Sequence, residues 1–264
     1  MPSPKRCLSC ERAHHRSGQH HLAAMADSLA LSGLLQLSSA SLPIGAFSHS
    51  LGMEAAHGAG QLPDAAAVEA WILDFMAHAW ARSDAPLWLA QFSAWQSHDA
   101  RALQQHNAQL CALRDTAELR LENEQTARSL QQWLHSLGPD ALDIDSLDLN
   151  ARPTDQQRAC LEAMQPLAFV SVHALAAERL QLNGPLGLQA LGWSLLENLV
   201  MAAIKLLPLG QRAGQTLLRR LACQLPTWID QAHGVSPSTV SSFTPMLSIH
   251  SAAHETQYSR LFRS

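Results

Sequence analysis

A chain of 264 residues that is 47% hydrophobic and only 15% charged carries enough apolar material for a sizeable core, which excludes an intrinsically disordered protein. A formal net charge of -4 and a pI near 6.4 leave no basic footprint for a nucleic-acid partner. Lys5 and Lys205 are the only lysines and neither follows a glycine, which excludes a phosphate-cradling G-x-x-x-x-G-K-[ST] loop.

The first 27 residues read as a flexible, disordered leader. They hold Cys7 and Cys10 at C-x2-C spacing, followed by His14, His15, His20 and His21, a pattern that zinc sites also use. A metal core needs packing residues, and this stretch has almost none, so no metal site is expected there. Met25 is an alternative start just before the first apolar helix. The first 24 residues lack the apolar core of a signal peptide, and no run reaches 18 uncharged apolar residues. Cys111, Cys160 and Cys223 are scattered, as in a reduced protein of the cytoplasm. The expectation is a cytoplasmic protein with no membrane span.

From Ser28 the pattern is helical almost throughout, with no alternating β-branched runs. One helix starts near Ser28. The Pro/Gly-punctuated loop "SLPIGAFSHSLGME" leads into a short helix from about Ser50. Pro63 and Asp64 start a helix that Pro86 resets. Between Asp115 and Leu137, Ala127, Leu130, Leu134 and Leu137 recur at helical spacing, and Gly138 and Pro139 end the run. The acidic segment 139–155 reads as an exposed loop. Helices then span about Thr154–Leu182, Pro185–Leu207 and Gln211–His233. The sum is an all-α, single-domain bundle of roughly eight to ten helices. The leader is 1–27, the helical body 28–240 and an extended C-terminal tail 241–264.

The helix from Pro185 is apolar nearly all round, yet Ser194, Asn198 and Lys205 fall on one face, with Glu197 beside them. Two readings stay open. Lys205 is paired or snorkels near the helix end, where its charge suits the dipole, or the stripe is a polar surface for a partner or channel. Beyond Pro208, Gly210 and Gly214 permit tight turns, and Gln211 and Gln215 offer amide donors and acceptors. No nucleophile with a positioned base is present, so no catalytic residue is assigned. Ser48, His49 and Ser50 are adjacent, which is not the geometry of a Ser/His pair. His250 and His254, four apart, would clasp a metal on a helix; hydrogen bonding is the preferred reading.

Four blocks resemble the UreF family of urease accessory proteins: "LLQLSSASLPIGAFSHSLGMEAA", "TAELRLENEQTARSL", "WSLLENLVMAAIKLLPLGQRAGQ" and the tail "HETQYSRLFRS". The resemblance implies an all-helical, cytoplasmic homodimer that is not an enzyme. It implies a scaffold that binds UreD (UreH), recruits or modulates the GTPase UreG, and serves nickel insertion into apo-urease. Nickel and GTP would be used by the complex, with no cofactor bound by this chain. Lys205, Pro208, Gly210, Gln211, Gly214 and Gln215, with Glu197, would face UreG. His254, Glu255, Tyr258, Arg260 and Arg263 would dock UreD. Pro43, Gly45, Phe47, Ser48, Ser50, Gly52 and Glu54 match the first motif, for which a plain helix–loop–helix turn is the rival reading. The alternative function is direct nickel binding, motivated by the 14 histidines.

Overall fold

Most helix starts are written into the sequence as caps. Asp64, Asp99, Thr116, Thr154 and Asn183 each accept a backbone N–H of the first turn that follows, satisfying donors that a helix N-terminus otherwise leaves bare. Thr154 forms a full capping box with Gln157. In the computed structural model, residues 28–137 and 151–263 are described, and they contain helices and no β-strand. The helices are α1 (Ser28–Leu37), α2 (Met53–Gly58), α3 (Ala65–His78), α4 (Asp84–Ser97), α5 (Ala100–Ala112) and α6 (Ala117–Ser136). After the gap come α7 (Asp155–Ala163), α8 (Phe169–Arg179), α9 (Gly184–Leu206), α10 (Gln211–Ala222), α11 (Leu225–His233) and α12 (Pro245–His254). The Cys7–Cys10 leader and most of the acidic loop lie outside the described residues.

The centre of the bundle is α8, buried from Val170 to Ala177 and packed on α4 and α6. Two tryptophans of α4 tie it down. Trp88 Nε1 donates to His173 Nδ1 at 3.0 Å, and Trp95 Nε1 donates to the Ser171 carbonyl at 3.0 Å. Buried polar groups are paired in this way because a lone one costs the desolvation of its hydrogen bond. α9 crosses beside them, packed on α10, α11, α4 and α8. Among the described residues it is the one helix long and apolar enough to cross a membrane. These neighbours account for that apolarity, since 56% of its most apolar window is buried inside the protein.

The crossing of α9 over α4 depends on Gly187. A Cβ there would stand 2.6 Å from the Trp88 ring and 2.8 Å from the Ala177 Cβ. Gly187→Ala is therefore expected to destabilise by about 1–3 kcal/mol through overpacking, although alanine is the better helix former. Urea unfolding checks this, and an unchanged midpoint would mean the two helices part without cost.

Three expected boundaries move. The helix expected from Thr154 to Leu182 is two, α7 and α8, parted around Pro166, whose missing N–H and ring break a helix interior. The helix expected from Gln211 to His233 likewise divides at Cys223–Gln224, with Pro226 in the first turn of α11. Pro86 resets nothing: it lies within the first turn of α4, and the break comes earlier, at the 3-10 turn Trp80–Arg82 and Ser83. Within 241–264 the chain first forms α12, and only then runs on without regular structure.

Candidate partner-docking site

The loop before α2 makes two tight turns on glycines. Gly45 (φ 73°) and Gly52 (φ 74°) occupy the left-handed region, where a side chain is strained. Gly45 has open space where a Cβ would stand, so within the chain it is the positive φ that calls for glycine there. Gly52 does more: a Cβ there would stand 3.3 Å from the Leu247 carbonyl, so the bare glycine lets α12 approach. Across this turn, Ser50 Oγ accepts the Glu54 N–H at 3.3 Å, and Glu54 is buried.

Glu54 is the floor on which the tail sits. Its Oε1 accepts the Leu261 N–H at 2.6 Å and Gln257 Nε2 at 3.2 Å. Its Oε2 accepts the Phe262 N–H at 2.8 Å and faces His254 Nε2 at 3.1 Å. The other ring nitrogen, His254 Nδ1, faces Glu118 Oε2 at 2.8 Å, and Arg260 Nη1 donates to Glu118 Oε1 at 2.9 Å. Arg260 also donates to the carbonyls of Gln257 and Glu255. The Arg263 N–H donates to the Ser48 carbonyl at 2.7 Å.

The tail also caps a helix. Glu255 Oε1 accepts the Ala117 N–H at 2.8 Å, beside Thr116, which caps the same helix from within. Thr116 Oγ1 pairs with Ser251 Oγ at 2.7 Å, and Ser248 Oγ donates to Asp115 Oδ2 at 2.7 Å, so α12 and the tail are sewn to the start of α6.

Lys205 joins this region to α9. Its ammonium donates to the Phe47 carbonyl at 3.3 Å and stands 5.7 Å from the Phe47 ring and 5.2 Å from the Phe262 ring. Both distances are within cation–π reach. The snorkelling reading is the observed one for this exposed lysine. The stripe also has a surface to serve. Ser194, Glu197, Asn198 and Lys205 line a cleft of about 230 Å³, with Phe47 and Glu122 among the other residues around it. Burial pushes the Glu197 carboxyl above its ordinary range, against the opposing hydrogen bond from Trp193. Asn198 Nδ2 donates to the His49 carbonyl at 3.4 Å, and His49 Nδ1 lies 3.7 Å from Glu122 Oε2.

The motif loop, the tail and Lys205, far apart in sequence, thus meet at one end of the bundle. The rest of the third block forms a neighbouring surface at the α9–α10 turn, where Pro208, Gly210, Gln211 and Gln215 are exposed. Gly210 and Gly214 do not make the tight turns expected of them. Gly210 is an N-cap with φ -67°, and Gly214 is buried inside α10, where a Cβ would stand 2.3 Å from Ile204 Cδ1. Pro43 is exposed on the motif loop. Tyr258 is wholly exposed and Leu261 is 60% exposed, while Phe262 is buried. His250 and His254 share α12 but part ways: His250 Nε2 meets Gln61 Oε1 at 2.8 Å and its ring tilts against Trp71. Among the described residues no three His, Cys, Asp or Glu side chains are grouped to hold a metal ion. Sequence reasoning missed Glu118, Gln257 and Phe262. Glu118 lies in the first turn of α6, beside the cap at Thr116, which is the only local sign of it.

The chain is similar to known proteins over most of its length. Residues 62–222 match the UreF family profile. The urease accessory protein UreF of Polynucleobacter asymbioticus is 40% identical over 237 residues, covering 89% of this chain and 97% of that one. That of Cupriavidus necator is 42% identical with the same coverage. A bifunctional urease accessory protein UreEF of Bordetella bronchiseptica is 42% identical, and the match spans 52% of that longer chain. With tail, motif loop and Lys205 block assembled in one place, the chain belongs to the UreF family of urease accessory proteins.

Proposed function

We propose that this chain is a scaffold without catalytic activity of its own, acting in the cytoplasm as a homodimer during nickel insertion into apo-urease. It binds UreD (UreH) through α12 and the tail, and recruits or modulates the GTPase UreG through Lys205 and the α9–α10 turn. The observation that carries the reading is the seated tail. Its polar atoms are turned inward onto Glu54 and Glu118, while Tyr258 and Leu261 are left outside. Met246, Ile249 and Phe243 are exposed in or beside the adjoining α12. Aromatic and apolar residues rimmed by polar ones are what interfaces favour. The UreEF fusion supports physical association among maturation proteins. Nickel is cargo in this reading.

The test is capture of purified UreG by co-expressed UreF and UreD. Lys205→Ala and Gln211→Ala are expected to leave the helical circular-dichroism signal unchanged and to weaken UreG capture about tenfold, as removal of an interface anchor does. Unchanged capture and unchanged GTP turnover would remove UreG from this surface.

A further inference from the structure

Four ionisable groups close on one another beneath the tail: Glu54 from α2, Glu118 from α6, His254 from α12 and Arg260 from the tail itself. His254 is wholly buried, and both its ring nitrogens face carboxylate oxygens. A neutral imidazole has one N–H and one lone pair, so it satisfies only one such oxygen, unless the other carboxyl carries the proton. Both carboxyls are set up to stay ionised. Glu54 accepts from two backbone N–H groups and an amide NH₂ besides facing the imidazole, and three donated hydrogen bonds favour the carboxylate over a carboxyl that gives its proton to His254 Nε2. Glu118 holds the Arg260 guanidinium at 2.9 Å, and a cation there favours the ionised carboxylate. The consistent arrangement is two carboxylates, one guanidinium and one imidazolium, with no net charge. Buried charges such as those of Glu54, Glu118 and His254 are tolerable only when paired and hydrogen-bonded in this way, and Arg260, whose side chain is 34% exposed, completes the balance from the surface.

We propose that His254 is held as an imidazolium between Glu54 and Glu118, and that this balanced array seats the tail, with Glu118 as a positioning residue for the docking surface. The chain from Glu255 to Arg263 leaves the last turn of α12 at His254 and returns to Glu54, so the array closes a loop at both ends. Removing charge from one member leaves the rest unbalanced and the tail amides without an anchored acceptor. That the seated tail is what a partner grips rests on the function proposed above. The experiment therefore uses the chain alone, so that either reading can fail without the other.

The first measurement is a long-range proton–nitrogen NMR spectrum of the full chain with ¹⁵N-labelled histidine at neutral pH, with His254 assigned by comparison with His254→Gln. Two protonated ring nitrogens at His254 are expected. One protonated and one lone-pair nitrogen would overturn the proposal. The second is amide exchange at Leu261 and Phe262. Glu118 touches neither amide, yet Glu118→Gln is expected to speed exchange at both about tenfold or more, with α8 and α9 unchanged, and Glu118→Asp to restore much of the protection. Exchange at the wild-type rate in Glu118→Gln would show that the tail seats without the array. If Glu118→Gln does not fold, the wild-type spectrum alone decides.

Discussion

Glu54→Ala is expected to release the tail while leaving the bundle standing. Glu54 accepts from the Leu261 and Phe262 amides, from Gln257 and from His254, and it is buried. Alanine strands these donors and leaves His254 and Arg260 with one carboxylate between them. Breaking a buried pair by removing one partner costs about 3–5 kcal/mol. That cost need not appear in full as lost global stability, because the tail offers a cheaper way out. It undocks, water reaches the stranded groups, and the global loss is capped at what the docked tail contributed. The expected result is prompt protease cleavage between Glu255 and Arg263, with α4, α8 and α9 still protected. A chain ending at Gln257 should match Glu54→Ala in partner capture, since both remove the same seated segment. Wild-type protease resistance in Glu54→Ala would show that the remaining anchors, Arg260 on Glu118, the Arg263 N–H on Ser48 and the buried Phe262, hold the tail without it.

The helical class and the polar stripe of α9 were legible because both are local periodicities. A rotation of 100° per residue puts Ser194, Asn198 and Lys205 on one face, and that face does line the cleft. The break around Pro166 was missed, although proline's missing N–H and its ring are a local signal for it. The array beneath the tail was not legible. His254 meets Glu118 across 136 positions and Glu54 across 200, and no periodicity in one sequence says which of its acidic residues will face that imidazole. The tail could be read as polar and aromatic; that its polar half turns inward depends on α2, α6 and α12 converging. Gly214 shows the same limit. Glycine in a sequence suggests a turn, whereas this one is needed for the closeness of α10 to Ile204.

Acid is expected to weaken the protein through His173, and His173→Asn to remove that part of the weakening. His173 is fully buried and accepts from Trp88 Nε1 through Nδ1, which places its proton on Nε2, a buried atom with no hydrogen-bond partner. Burial lowers its pKa from 6.5 to about 3, so the folded chain holds this imidazole neutral where the unfolded chain binds a proton. The sign follows from that difference. Above pH 6.5 both states are neutral and the group is indifferent. As pH falls from 6.5 toward about 3, the unfolded state takes up a proton that the folded state refuses, and stability is lost across that window. Between pH 7 and pH 5 the loss from this residue is about 2 kcal/mol at 1.36 kcal/mol per unit. The asparagine side chain would keep an oxygen acceptor for Trp88 and would not titrate. The variant is expected to be less stable at pH 7, where asparagine leaves space in the core. Its decline between pH 7 and pH 5 should nonetheless be smaller by that same amount, because every other titrating group is common to both proteins. Urea midpoints at pH 7, 6 and 5 give the two slopes. Parallel slopes would mean that His173 is protonated within the fold, and that the Trp88–His173 bond is not what ties α4 to α8.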